Sequence, residues 1–160
     1  MTWAYFRGDL IDIRPSLPSS PSLPDFYLGA TATAMLIGID NTTFVKVQIK
    51  GVKEGKYGAH LHVGPCGMDE NDVPTVGVHY NVSDQVPKVV SDQTEVWLNF
   101  KVHSDGNAKA TATVPFVPTP GDNGRPRSIT FHETATNPDG TAKAKLACLP
   151  LDIKTLKSSE

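Results

Sequence analysis

Apolar and polar residues alternate one for one along much of this chain. In Thr94–His103, Val96, Leu98, Phe100 and Val102 interleave with Glu95, Trp97, Asn99 and Lys101. Side chains of a strand leave opposite faces in turn, so such a run buries one face and wets the other. Ala108–Phe116 repeats the pattern, and Asp105-Gly106 between the two runs is a short hairpin signal. Val45, Val47 and Ile49 alternate with lysines and Gln48; Ala59, Leu61 and Val63 alternate with His60 and His62; Ile129 and Phe131 alternate with Thr130 and His132. Trp3–Ile13, with a bend expected at Gly8, Tyr27–Ile39 and Lys143–Leu151 are also compatible with strands. No window carries a 3.6-residue period. The pattern predicts an all-β fold of eight short strands, a sandwich or small barrel.

At 160 residues the chain is read as one domain spanning 1–160. Its Gly 13 and Pro 13 fit frequent turns. Residues 14–23 form a Pro/Ser-rich stretch, read as a hairpin loop because strand-like sequence flanks it. Residues 64–90 form the longest irregular segment, and long ordered loops in small domains tend to be functional. The net charge of -2 argues against a nucleic-acid partner. The apolar stretch Ala34–Ile39 is far too short to span a membrane. Met1 to Gly8 has neither the basic nor the long apolar region of a signal peptide.

His60 and His62 share one strand face, opposite Ala59, Leu61 and Val63, which places both imidazoles on the outside of the barrel. His132 points outward in the same sense, and His79 lies in the long loop. These four can converge on one metal; His103, just before the Asp105-Gly106 turn, reads as a solvated side chain. Imidazole ligation without thiolate or thioether suits copper or zinc, and four nitrogens favour copper. Cys66 and Cys148, 82 positions apart, form no local CxxC motif.

The same residues carry a family likeness. Gly58-Ala59-His60-Leu61-His62-Val63-Gly64-Pro65-Cys66 resembles the GxHxH…C segment of Cu/Zn superoxide dismutases. Gly77-Val78-His79-Tyr80-Asn81 resembles their GPHFN motif, Ser128-Ile129-Thr130-Phe131-His132-Glu133 their strand ending in His-Glu, and Lys145-Leu146-Ala147-Cys148 their RLAC. The motifs follow the family's order and span nearly the whole chain. The resemblance implies an eight-stranded Greek-key β-barrel or sandwich, with His60, His62, His79 and His132 as ligands of one copper ion. It pairs Cys66 with Cys148, pinning the 64–90 loop. A structural disulfide belongs to an oxidising compartment, so the expected location is extracytoplasmic (secreted, periplasmic or cell-surface), with any export signal outside this sequence.

Departures from the family are equally informative. Between His79 and Asp105 the only histidine is His103, so a zinc site is not expected. The segment after His132 is short, and the family's metal-linking aspartate is replaced near Thr136-Asn137. Both losses resemble the copper-only branch of the family. That branch has a carboxylate pair at the vacated zinc position, which makes Glu95, or alternatively Asp92, the expected partner of the free nitrogen of His79. Lys145 stands where the family has an arginine that attracts the superoxide anion; it keeps the charge without the planar fork. Arg125 and Arg127 are loop cations that could compensate.

The resemblance therefore implies a copper-dependent superoxide dismutase, with His79 and Lys145 in catalytic roles. The alternatives are a non-enzymatic copper-binding or delivery module, and a metal-free cell-surface domain on the same fold.

Overall fold

The computed structural model describes residues 1–16, 23–152 and the backbone of 157–159. Its strands are β1 (Thr2–Asp9), β2 (Ile11–Asp12), β3 (Thr31–Ile39), β4 (Thr42–Lys50), β5 (Gly55–His62), β6 (Trp97–Val102), β7 (Ala108–Val114), β8 (Ser128–His132), β9 (Lys145–Pro150) and β10 (Lys157–Ser159). They build two five-stranded antiparallel sheets, ordered β10-β1-β3-β4-β7 and β2-β9-β8-β5-β6. The chain changes sheet at β1→β2, β2→β3, β4→β5, β6→β7, β7→β8 and β9→β10, as in a Greek-key sandwich. No helix occurs among the described residues.

Among the described residues ten strands replace the expected eight, for two local reasons. The first strand does not bend at Gly8, which stays paired with Ala32. It breaks at Leu10, whose side chain turns into the core and whose N–H donates to Ala30 O at 2.9 Å. Ile11 and Asp12 then pair with β9 in the other sheet. The tenth strand, β10, pairs with Trp3–Tyr5, and its sequence Lys-Ser-Ser carries no alternation to announce it. Of the expected 14–23 loop, residues 17–22 lie outside the described residues.

Alternate residues meet between the sheets: Val45, Val47 and Ile49 from β4, and Leu98, Phe100 and Val102 from β6, pack around Phe6, Leu61, Ile129 and Phe131. Fully burying each such side chain contributes roughly 1.5–3 kcal/mol. The alternation fails in β5, β8 and β9, where Ser128–His132 and Leu146–Leu149 are also buried without a break. Every residue from Tyr57 to His62 is buried, so both faces of β5 are covered.

The second cover is the β5–β6 connection, which folds back along β5. Val63 N–H donates to Val78 O at 3.1 Å, Gly64 N–H to Val76 O at 2.7 Å, and Tyr80 N–H to Leu61 O at 2.7 Å. The approach at Gly64 is so close that a Cβ there would lie 2.0 Å from Thr75 O, which only glycine tolerates. The disulfide Cys66–Cys148 ties the connection to β9, with Cα atoms 5.7 Å apart, and Ile13, Val76 and Cys148 form a small apolar cluster beneath it.

Candidate metal centre

His60 and His62 do leave the face of β5 opposite Ala59 and Leu61, and His132 ends β8 on the same side. They are not solvated, however, as an outward-facing side chain would be. His60 and His62 are fully buried and His132 is 2% exposed, because the 63–96 connection and the 133–144 segment roof that face of the sheet. Alternation reports which side of a sheet a residue takes; it is blind to what a distant loop lays over it. His79 comes down from the roof, paired with His62 through a bridge.

Each imidazole has one nitrogen engaged by the protein. His62 Nδ1 donates to Gly77 O at 2.9 Å, and His132 Nδ1 to Ala142 O at 2.9 Å. His79 Nδ1 donates to Glu95 Oε1 at 2.8 Å, and His60 Nε2 pairs with Thr136 Oγ1 at 2.7 Å. The opposite nitrogens converge: one ligating atom from each of the four lies within 4.8 Å of the others. Carbonyls accept only, so the neutral rings of His62 and His132 carry their proton on Nδ1 and a lone pair on Nε2. Those two Nε2 atoms face each other at 3.3 Å, and His60 Nδ1 is buried with no partner. A buried acceptor left unpaired costs about 1–3 kcal/mol. A cation among the four nitrogens removes that cost, so the donor set fits a metal ion. Burial foremost, then the neighbouring imidazoles, push protonation of His60 and His62 well below the usual histidine range and lower that of His132, which keeps the lone pairs free.

Glu95 is 3% exposed and makes three hydrogen bonds. Besides His79, its Oε1 accepts from Trp97 Nε1 at 3.0 Å and its Oε2 from Asn81 Nδ2 at 2.9 Å. Burial opposes its charge, but these donors together hold its carboxyl below the ordinary value. Asp92, the alternative partner, is not at the site. The turn closed by Glu95 N–H on Ser91 O turns it out to solvent, where Gln93 Nε2 reaches it at 3.4 Å.

Lys145 opens β9, and a register shift between Phe131 and His132 sets it opposite His132. Its Nζ donates to Gly77 O at 3.2 Å, the same carbonyl that holds His62. A cleft of about 600 Å³ opens above His62, His79 and His132, with Lys88, Lys143 and Lys145 on its rim. Neither Arg125 nor Arg127 lines it; Arg127 lies 3.5 Å from Asp122. His103 is exposed beyond β6, away from the four-histidine cluster. Sequence reasoning did not assign roles to Asn81, Trp97, Asn99 or the Gly77 carbonyl. Their partners lie across loops whose path no local pattern encodes.

An antiparallel two-sheet sandwich with four convergent imidazoles defines the class: a β-sandwich protein equipped to hold a metal ion. No family model and no curated protein matches the chain. Among solved structures it is similar to the Cu/Zn superoxide dismutase from Brucella abortus. The TM-score is 0.57 and the identity 19%, and the match covers 95% of this chain and 100% of that chain. The likeness is one of fold.

Proposed function

We propose that this chain is a copper-dependent superoxide dismutase with one metal centre, at His60, His62, His79 and His132, working outside the cytoplasm. The observation that carries the reading is the set of four ring nitrogens left facing one another while each ring's other nitrogen is engaged by the protein. An all-imidazole set without thiolate or thioether suits copper. Copper, when bound, would supply the one-electron chemistry that oxidises one superoxide to dioxygen and reduces another, with two protons, to hydrogen peroxide.

The chain's own residues would do the rest. His79 Nδ1 donates to Glu95, so a proton delivered to this ring would sit on Nε2, the nitrogen that faces the cluster. Glu95 also fills the side of His79 from which a second metal would bind, which supports a centre without zinc. Lys145, backed by Lys88 and Lys143, would raise the local concentration of a small anion at the cleft. The disulfide supports an oxidising compartment. A copper-delivery role is less well supported, since carriers of Cu(I) use soft ligands that this cluster lacks.

The deciding experiment loads the protein with copper and measures metal content alongside superoxide consumption. One copper per chain, with consumption that slows as salt rises, is the expected result. Copper held without turnover would favour the binding module, and no copper uptake would overturn both readings. In Glu95→Gln the carboxylate becomes an amide of the same shape. Copper affinity is expected to fall about 10–100-fold, the usual cost of losing such a partner, with a loss of turnover. Unchanged affinity and turnover would remove Glu95 from the mechanism.

A further inference from the structure

Three of the four imidazoles face pure acceptors on their outer nitrogens: carbonyls at His62 and His132, and a carboxylate at His79. Each acceptor dictates the tautomer and leaves the inner nitrogen as a lone pair. His60 differs. Its outer nitrogen meets the hydroxyl of Thr136, which can donate or accept. If the hydroxyl donates, His60 Nδ1 carries the ring proton and points it at three lone pairs. If it accepts, Nε2 carries the proton and all four inner nitrogens are free to bind.

Thr136 is held in place from a second direction. Its backbone N–H donates to Asn99 Oδ1 at 2.8 Å, which anchors the 133–144 segment to β6. The space for this pair exists because residue 58 has no side chain. A Cβ on Gly58 would lie 2.7 Å from Thr136 Oγ1 and 2.8 Å from Asn99 Oδ1. The His60 ring itself is confined, stacked on His79 with centroids 4.0 Å apart. Ring, hydroxyl and anchor are thus seated from separate elements, and the Nδ1 on the far side of the ring has no protein partner.

We propose that Thr136, seated by Asn99 and the bare backbone of Gly58, is the positioning residue that accepts from His60 Nε2 and thereby selects Nδ1 as the inward, metal-binding nitrogen. This rests on reading the four-histidine cluster as a metal centre. A hydroxyl differs in kind from the carboxylate on His79: it fixes the ring without lending it negative charge.

The test compares Thr136→Val, which keeps the branched shape and the N–H to Asn99 but removes the hydroxyl, with Thr136→Ser, which restores it. Two readouts are needed. In metal-free protein, long-range nitrogen–proton NMR should show His60 protonated at Nε2 in the parent chain and in Thr136→Ser, with Nδ1 protonation appearing in Thr136→Val. In copper titration against a chromophoric chelator, Thr136→Val should bind about 10–100-fold more weakly and give an altered EPR spectrum, with Thr136→Ser close to the parent. Near-UV circular dichroism of the metal-free proteins checks that the fold is kept; if Thr136→Val is misfolded, the Thr136→Ser and parent tautomers still decide. Nδ1 protonation of His60 in the parent chain, or parent-like affinity and spectrum in Thr136→Val, overturns the proposal. Nε2 protonation in a parent chain that takes up no copper would uphold the tautomer selection while overturning the metal reading.

Discussion

Acidifying the metal-free protein from pH 7.5 to pH 5 is expected to remove about 4 kcal/mol of its stability through His60 and His62, with a further loss of the same sign from His132. His60, His62 and His132 are buried; His60 and His62 take up a proton far less readily in the fold than when unfolded, and His132 less readily. An unfolded histidine protonates near pH 6.5. Below that value the unfolded chain binds more protons than the native one, so stability falls as pH falls. The contribution is fully present above about pH 7 and is lost progressively toward the depressed folded values, at about 1.4 kcal/mol per pH unit for each of His60 and His62. Glu95 adds a smaller loss of the same sign at lower pH, since its folded carboxyl also lies below the usual range. Urea unfolding at several pH values measures the effect. A flat profile between pH 7.5 and 5 would mean that the three rings protonate without unfolding, and that the roof over them opens freely.

The second large effect concerns the disulfide. Cys66–Cys148 closes a loop with a sequence separation of 82. In the chain-entropy description, removing such a closure costs about 4–5 kcal/mol. The consequence should be local as well as global, because Cys66 belongs to the segment that carries His79. A Cys66→Ser/Cys148→Ser double variant is expected to unfold at markedly lower denaturant. It should also bind metal more weakly, since the seat of His79 then loses its covalent tie and keeps only hydrogen bonds, those at Val63, Gly64 and Tyr80 and those to Glu95. Denaturation in the presence and absence of reductant provides a control that needs no mutation. Equal midpoints in both would show that the cross-link adds nothing to the fold.

Much of this architecture was legible in the sequence because its physics is local. Alternation placed Val96, Leu98, Phe100 and Val102 inward and sent Asn99 and Lys101 out, as the structure has them. The same rule set His60 and His62 on one face of β5. What alternation could not supply was the roof: the burial of both rings depends on a connection returning over the sheet, held by the Gly64 contact and a distant cystine. Spacing alone left Glu95 and Asp92 open; the turn at Ser91 faces Asp92 to solvent and leaves Glu95 against His79. β10 and the break at Leu10 were missed because strand pairing and sheet switching depend on partners far away in the chain.

The Gly77 carbonyl accepts from both His62 Nδ1 and Lys145 Nζ. The cation that would draw a charged substrate inward is therefore fastened to the same point that orients a ring of the metal seat. Lengthening, shortening or neutralising the side chain at position 145 would tug on that oxygen, and with it on the direction of the His62 lone pair. Attraction from a distance and ligand geometry at the centre are two loads on one peptide unit, so neither can drift through mutation without the other registering it.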